Sequence, residues 1–320
     1  MEGPSSAAGL VHAARALLGA DVRPLDGDSG EVFLVGVAGE EAVLRLYARD
    51  PARAAVDAAL LALVRGLLPV PRVLEQRVRG TPEAPAFLLL ERLPGVRLDQ
   101  WLPEADADLR ARAGGSVGRV LAQLAGIPFL RAGEFVGAEL RIEARARSAS
   151  LVDLVEDRRT RGALAALSEE DLTGLVEVAR SAEDILDRGG EPRICLVHGD
   201  FDPSNLLVDP TTGEVTGVLD WELAHAGTPH TDLGALLRFE SDATFAEAVL
   251  RAYAWRVPGI ATNPDKADDL GALVELARAA DLPALLDAAM RSDAAATAAI
   301  RLLQATARCR NLAAGRPTWP

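Results

Sequence analysis

Short apolar runs with β-strand character dominate the N-terminal part of the chain. Four of them are bounded by glycine, proline or charged residues, a pattern typical of strands: 31–35, 42–47, 72–78 and 86–93. Residues 7–18 are predicted to form a helix, and apolar residues recur at helical spacing over 51–68 until two prolines end the repeat. This pattern predicts a five-stranded antiparallel sheet with one long helix packed on it.

From Leu93 onward the pattern is helical. Pro94 and Gly95 break the chain, and alanine- and leucine-rich segments follow. One β-rich island interrupts these segments, and it comprises 193–200, 205–209 and 215–220. Residues 270–312 keep apolar positions on one helical face, which predicts a helical bundle. The fold class is therefore predicted to be α+β, with an antiparallel-sheet lobe over 1–93 and a larger, mainly helical lobe over 94–320.

The composition is that of a soluble globular protein and narrows its partners. The 320 residues are 49% hydrophobic, and 47 acidic against 34 basic side chains give a formal net charge of −13. A surface of that sign repels phosphate backbones and anionic lipids, so neither nucleic acid nor a membrane is an expected partner. The sequence shows no signal peptide, no apolar run of membrane-spanning length and only two cysteines. These features predict a cytoplasmic protein.

Three polar residues stand at the ends of the strands in the β-rich island. Asp200, Asn205 and Asp220 each follow or begin a short apolar run, and the turn between the last two runs brings Asp220 back beside Asn205. Carboxylate and amide oxygens suit Mg²⁺, which takes few protein ligands and completes its shell with water and phosphates. The set therefore predicts a magnesium site and implies a nucleotide, ATP or GTP.

The spacing of these residues reproduces a kinase catalytic loop. His198, Asp200 and Asn205 fit the pattern H-x-D-x-x-x-x-N, and Asp220 stands where a second metal-binding aspartate is expected. The blocks LVHGDFDPSNLLVD (196–209) and VLDWELAHAGTPHTDLGALLRF (218–239) resemble the signatures of the aminoglycoside phosphotransferase and choline kinase-like families. The resemblance spans roughly 25–239. It implies a two-lobed protein kinase-like fold, with a nucleotide-binding lobe over 1–93 and a catalytic and substrate-binding lobe over 94–320.

The resemblance also implies roles for the second-lobe residues. Asp200 would accept or orient the proton of the attacking hydroxyl, while Asn205 and Asp220 would hold Mg²⁺. His198 belongs to the same catalytic loop and is expected to fix it through hydrogen bonds more than to transfer a proton. Asp232 would either support this loop or cap the helix that follows it.

The first lobe departs from the family pattern at the pair that orients the nucleotide phosphates. A lysine on the third strand and a glutamate on the helix are usual, and the matching positions here are Arg45 and Asp57. Lys266 is the only lysine of the chain. A longer cation opposite a shorter anion is what a retained ion pair requires, so Arg45 and Asp57 are expected to face each other. An exposed strand arginine and a solvated helix aspartate are the alternative.

Two further nucleotide contacts follow from the resemblance. Residues 26–31, DGDSGE, would cover the phosphates without the full G-x-G-x-x-G pattern, through backbone N–H groups and the Ser29 hydroxyl. The same segment is also typical of a plain hairpin turn. At the hinge, Glu91 and Leu93 would present backbone groups to the adenine.

The acceptor substrate is less constrained by the sequence. Asp202 and Glu222 lie nearest the catalytic residues and are expected to attract a small hydroxylated and cationic substrate, although most acidic side chains are simply solvated. Aromatic residues make up 4% of the chain, too few to favour the aromatic cage of a choline site. Asp232 follows Glu222 by only ten positions, which leaves no room for a long activation loop.

Three functions are compatible with these residues. The first is a Mg²⁺-dependent small-molecule O-phosphotransferase that acts on an antibiotic. The second is a housekeeping kinase for an amino alcohol, sugar or choline-like metabolite. The third is a nucleotide-binding pseudokinase, which the joint presence of Asp200, Asn205 and Asp220 argues against.

Overall fold

An antiparallel sheet forms the N-terminal lobe, and helices form most of the rest. The computed structural model of the chain describes residues 7–18, 22–25, 31–37, 39–81, 85–144, 150–188, 193–256, 267–290 and 294–317. None of the helices within these ranges is long and apolar enough to cross a bilayer.

The first sheet has five antiparallel strands, as predicted. They are β1 (Val22–Pro24), β2 (Val32–Val37), β3 (Glu40–Tyr47), β4 (Val73–Arg77) and β5 (Ala86–Glu91), in the order β1-β2-β3-β5-β4. The sequence pattern assigns four of them, and the fifth is β1, whose three residues are too few to show a period. In β3, Ala42, Leu44 and Leu46 face one side of the sheet, so Arg45 and Tyr47 face the other.

Two helices cover the two faces of this sheet. Helix α1 (Ala7–Leu18) packs Leu10 and Ala14 on the face of Leu44, and α2 (Arg53–Val64) packs on the face of Tyr47. Helix α2 is shorter than the predicted span of 51–68. It ends because Arg65 takes an extended conformation and Gly66 follows with φ of 87°.

The second lobe is mainly helical, which confirms the predicted fold class. Its helices are α3 (Leu98–Trp101), α4 (Ala107–Ala125), α5 (Leu151–Arg158), α6 (Glu169–Arg188), α7 (Thr231–Leu236), α8 (Ala243–Ala254), α9 (Ala267–Ala288) and α10 (Ala294–Cys309). Helices α5, α6, α9 and α10 share a separate apolar core, so the C-terminal bundle forms as predicted. Helices α4 and α8 lie so close that a Cβ on Gly118 would stand 2.4 Å from the Val249 carbonyl oxygen.

The β-structure of this lobe is more extensive than the single predicted island. Its strands are β6 (Val96–Arg97), β7 (Gly133–Val136), β8 (Arg141–Glu143), β9 (Cys195–Val197), β10 (Leu206–Val208), β11 (Val215–Val218) and β12 (His225–Gly227). They form two sheets, β11-β10-β6 and β8-β7-β12-β9. The prediction missed β6, the β7–β8 hairpin and β12 because each strand has four residues or fewer, which is too short for a recognisable alternation.

The connection between the lobes runs from β5 to β6 and is docked on the second lobe. The Thr216 hydroxyl donates to the Pro94 carbonyl oxygen at 2.7 Å. Gly95 has φ of 120°, and a Cβ there would lie 2.8 Å from the Val208 carbonyl oxygen, so the position requires glycine. The predicted boundary between residues 93 and 94 falls in this connection and stays a prediction.

Candidate active site

The loop between β9 and β10 carries the catalytic pattern, and the Asp232 carboxylate supports its backbone. Asp232 lies in the first turn of α7 and is 3% exposed. It accepts from the backbone N–H of His198 at 2.7 Å and from that of Gly199 at 2.9 Å. Of the two roles expected for Asp232, these bonds correspond to loop support. Burial raises the pKa of its carboxyl group, and the hydrogen bonds from the loop oppose that rise.

His198 links this loop to the strand that precedes Asp220. Its ring is fully buried, and Nε2 lies 2.8 Å from the Leu219 carbonyl oxygen. Because a carbonyl can only accept, Nε2 carries the proton, and Nδ1 accepts from the backbone N–H of Asp200 at 3.3 Å. Burial lowers the pKa of the imidazole, which keeps it neutral. Both ring nitrogens are therefore engaged in positioning the loop, as the sequence analysis expects of His198.

Asp200 and Asn205 are joined by their side chains. The Asn205 amide Nδ2 donates to the Asp200 carboxylate Oδ2 and to the Asp200 carbonyl oxygen, each at 2.9 Å. A 3-10 turn, Pro203–Asn205, brings the two residues together, and the Asp202 carboxylate caps it by accepting from the Ser204 N–H at 2.9 Å. Since Nδ2 makes both of these bonds, the amide oxygen of Asn205 takes no part in them.

Asp220 follows β11 in a strained backbone conformation. Its φ is 57°, in the left-handed region that costs a non-glycine residue free energy. The backbone N–H of Leu219 donates to the Asn205 carbonyl oxygen at 2.9 Å, which ties the two segments together directly before Asp220. The structure therefore brings Asp200, Asn205 and Asp220 to one place, as the strand-end pattern predicts.

Arg45 reaches across from β3 to the acidic end of this cluster. Its Nη1 donates to Asp220 Oδ1 at 2.6 Å, and its Nη2 donates to Glu222 Oε2 at 2.5 Å. Burial lowers the guanidinium pKa, but the carboxylate of Asp220 and other neighbouring charges outweigh that effect, so the pKa of Arg45 is raised. Burial and the nearby Asp220 raise the pKa of Glu222. Arg45 is thus a permanent positive charge at the cleft, not an exposed strand arginine.

The expected Arg45–Asp57 ion pair is wrong. Asp57 is 2% exposed, and its two oxygens are taken by Arg53 Nε at 2.6 Å and by the Tyr47 hydroxyl at 2.8 Å. Asp57 pairs with Arg53, four residues earlier on the same helix. Arg45 instead forms its ion pairs with carboxylates of the second lobe. The sequence analysis missed Arg53 and Tyr47, although the i, i+4 spacing of Arg53 and Asp57 was a visible signal.

The remaining nucleotide contacts are only partly described. Ser29 and residues 26–30 lie outside the described residues. The backbone N–H of Glu91 donates to the Arg72 carbonyl oxygen at 2.9 Å, so this N–H is engaged within the sheet and not directed at an adenine. Leu93 lies in the interlobe connection, and its side chain packs beside Gly217 of β11.

The two residues expected on the acceptor side differ in their surroundings. Asp202 is exposed next to the catalytic loop and acts as the cap described above. Glu222 instead binds Arg45 beside Asp220. The contact of Glu222 thus places it with Arg45 and not with the cap that Asp202 forms.

Comparison with known proteins agrees with this geometry. The chain matches the model of the phosphotransferase enzyme family (APH) over residues 21–270. It is 31% identical over 224 residues to an aminoglycoside 3'-phosphotransferase of Streptomyces fradiae, an alignment that covers 67% of this chain and 77% of that relative.

Solved structures show the same architecture. The GDP and kanamycin complex of APH(2'')-IIIa aligns with a TM-score of 0.65 at 16% identity, over 91% of this chain and 94% of the other. A thermostable mutant of APH(4)-Ia with ADP and hygromycin B aligns with a TM-score of 0.61 at 21% identity, over 95% and 98%. With a kinase-like fold and a family match across most of its length, the chain belongs to the phosphotransferase enzyme family, whose members transfer a phosphate group to an alcohol acceptor.

Proposed function

We propose that this chain moves the γ-phosphate of ATP or GTP to a hydroxyl group of an aminoglycoside, with Mg²⁺ as cofactor, and so acts as an antibiotic-resistance kinase. The Streptomyces fradiae relative carries the name of such an enzyme. The two structural neighbours hold GDP with kanamycin and ADP with hygromycin B, which leaves both nucleotides open. The intracellular supply of nucleotide makes the cytoplasm the compartment for this reaction.

The observation that carries the proposal is the bond between Asn205 Nδ2 and Asp200 Oδ2 at 2.9 Å. It fixes the plane of the Asp200 carboxylate, while His198 holds the backbone of the same residue. A carboxylate held in this way can orient the acceptor hydroxyl and take its proton as the oxygen attacks phosphorus. Positioning contributes more to this reaction than basicity, because the transferred group carries most of the developing charge.

The oxygen donors of the cleft fit Mg²⁺. Asp220 supplies a carboxylate and Asn205 an amide oxygen, and Mg²⁺ characteristically takes one or two protein ligands and completes its shell with phosphates and water. The part of the chain that the structure describes contains no cluster of three or more His, Cys, Asp or Glu side chains suited to a metal. When held by Asn205 and Asp220, the ion would supply positive charge that neutralises the transferred group.

Arg45 is proposed to orient the phosphates in place of the usual lysine. Its contacts with Asp220 and Glu222 engage one N–H on each terminal nitrogen, and its buried Nε has no hydrogen-bond partner among the described residues. A guanidinium has five N–H donors, so two carboxylate contacts leave donors for phosphate oxygens.

A polycationic acceptor suits the charge of this protein. Aminoglycosides carry several ammonium groups, and a chain of net charge −13 attracts them at long range. Asp202 is proposed as an acceptor contact, because it is exposed and only two residues from Asp200. Glu222 is proposed for the phosphate side instead, through its contact with Arg45.

Phosphorus NMR of the purified protein tests the proposal. The protein, Mg²⁺ and ATP or GTP are incubated in separate samples with kanamycin, hygromycin B, choline or a sugar. The proposal predicts a phosphomonoester resonance that appears with an aminoglycoside. A phosphomonoester formed only with choline or the sugar would indicate a metabolite kinase, and no product with any acceptor would favour the pseudokinase.

A further inference from the structure

Arg53, the first residue of α2, connects the two lobes behind the acidic end of the site. Its Nε donates to Asp57 on the same helix, and its Nη2 donates to the backbone carbonyl oxygen of Trp221 at 2.5 Å. A longer contact of 3.5 Å reaches the carbonyl oxygen of Ala224. The side chains of Arg53 and Asp57 are 12% and 3% exposed. A charged donor on a carbonyl, shielded from water, is a strong hydrogen bond, so α2 is firmly tied to this loop.

The carbonyl that Arg53 binds lies between the two acidic residues that contact Arg45. Asp220 precedes Trp221 and Glu222 follows it. The Trp221 indole anchors this loop to the second lobe, because Nε1 donates to the Val218 carbonyl oxygen at 3.1 Å. Arg53 holds the same residue from the first lobe. The orientation of the peptide that joins Trp221 to Glu222 therefore depends on both lobes.

The same network reaches β3, which carries Arg45. The Tyr47 hydroxyl donates to the Asp57 oxygen that Arg53 leaves open, and Tyr47 is 4% exposed. The Arg45 guanidinium carbon lies 5.4 Å from the centre of the Tyr47 ring, within the range of a cation–π contact. Asp57 thus links Tyr47, whose ring contacts Arg45, to Arg53, which binds the loop that contains Asp220.

We propose that Arg53 is a positioning residue for phosphoryl transfer. By holding the Trp221 carbonyl it sets where Asp220 and Glu222 stand relative to Arg45, and so couples the approach of the two lobes to assembly of the phosphate site. The inference rests on the proposed function, since it assigns Arg53 a task in the same site. Arg53 binds Asp57 through Nε and the Trp221 carbonyl through Nη2. The single ammonium group of a lysine cannot reach both partners, so lysine cannot replace Arg53.

A purely structural role makes a different prediction. If Arg53 served only as the counter-ion of buried Asp57, Arg53→Gln would destabilise the protein by leaving that carboxylate uncompensated. Removing both charges in Arg53→Gln with Asp57→Asn would then restore stability and activity together. Under our proposal the double variant regains stability, but it still lacks the donor to Trp221.

The test measures three quantities on the full chain: the unfolding temperature, kcat for transfer to the acceptor that the wild type uses, and the gain in nucleotide affinity on adding Mg²⁺. The variants are Arg53→Gln, Arg53→Lys and the double variant. Arg65→Gln, an exposed arginine just beyond the C-terminal end of the same helix, is the matched control. Calorimetry supplies the affinities and needs no acceptor.

We expect Arg53→Gln to lose several degrees of unfolding temperature and the double variant to recover most of them. Both variants should lose about 10-fold or more in kcat and in the Mg²⁺-dependent gain in nucleotide affinity, which is the size of effect expected for one charge-assisted hydrogen bond. Their nucleotide affinity in Mg²⁺-free buffer should be unchanged. Arg53→Lys should keep stability and share the loss of kcat, and Arg65→Gln should match the wild type.

The inference is overturned if the double variant regains wild-type kcat with its stability, or if Arg53→Lys retains wild-type kcat. It is also overturned if the double variant fails to fold, since the Trp221 contact would then hold the fold and not the site. A wild-type chain that neither binds nucleotide with Mg²⁺ nor phosphorylates any acceptor would instead refute the proposed function.

Discussion

Replacing Arg45 with glutamine removes the cation that Asp220 and Glu222 share. Arg45 is 9% exposed, and its two terminal nitrogens stand 2.6 Å and 2.5 Å from those carboxylates. Without the guanidinium the two carboxylates repel each other. The nucleotide-free Arg45→Gln protein is therefore expected to be less stable than the wild type.

The magnitude follows from the exposure of the partners. The Asp220 and Glu222 side chains are 38% and 45% exposed, so water screens each pair. Each contact is then worth about 0.5–1 kcal/mol, well below the roughly 3–5 kcal/mol lost on breaking a fully buried pair. The two contacts together predict a coupling of about 1–2 kcal/mol between Arg45→Gln and the combined Asp220→Asn and Glu222→Gln variant.

A double-mutant cycle on urea unfolding measures this coupling, and Arg23→Gln, an exposed arginine of β1, is the control. A second cycle pairs Arg45→Gln with Asp57→Asn. Because the Asp57 oxygens bond to Arg53 and Tyr47 and Asp57 reaches Arg45 only through its charge, that cycle should give a clearly smaller coupling than the first. A coupling to Asp57 as large as that to the two cleft carboxylates would refute the assignment and restore the Arg45–Asp57 pair.

Three further outcomes are expected. Asp232→Asn should lower kcat and destabilise the protein by about 1–3 kcal/mol, because an amide cannot accept from both loop N–H groups, as kinetics and urea unfolding can measure. Burial lowers the pKa of the His230 imidazole to about 4 from 6.5. As the pH falls from 6.5 towards 5, the imidazole therefore binds a proton in the unfolded chain but stays neutral in the folded one. The free energy of unfolding should lose about 2 kcal/mol from pH 8 to 5 through this group, and His230→Asn should lose correspondingly less in pH-dependent urea melts. Gly118→Ala should destabilise by about 1–3 kcal/mol despite its better helix propensity, since its Cβ would meet a carbonyl of α8. The control Gly115→Ala, whose Cβ has room, should stabilise by about 0.5–1 kcal/mol. A Gly118→Ala variant that gains stability as Gly115→Ala does would contradict the packing of α4 on α8.

The sequence predicts those parts of the molecule whose causes are local. Strand runs such as 42–47 have a clear pattern, and the strand-end positions of Asp200, Asn205 and Asp220 follow from short strands joined by turns. The structure brings these three residues together as predicted. Local patterns fail where elements are short, as in the β7–β8 hairpin, or where one residue ends an element, as Gly66 ends α2.

The partners of charged side chains were not predictable in the same way. Arg45 and Asp57 lie on adjacent elements, and their replacement of the usual lysine and glutamate favours an ion pair between them. The choice depends on Arg53, whose second partner is a backbone carbonyl 168 residues away along the chain. The i, i+4 spacing of Arg53 and Asp57 was visible in the sequence, but a backbone carbonyl has no sequence signature, so only the folded chain reveals that Arg53 also binds Trp221.

Asp200 is proposed to act on the acceptor hydroxyl and not on the nucleotide. The most direct test compares Asp200→Asn with Asp108→Asn, the same change at an exposed position of α4, in transfer to the acceptor of the wild type and in calorimetric nucleotide binding. Asp200→Asn should lose kcat by about 10²-fold or more while its nucleotide affinity in Mg²⁺ stays unchanged, and Asp108→Asn should match the wild type in both. Wild-type turnover in Asp200→Asn would contradict the account.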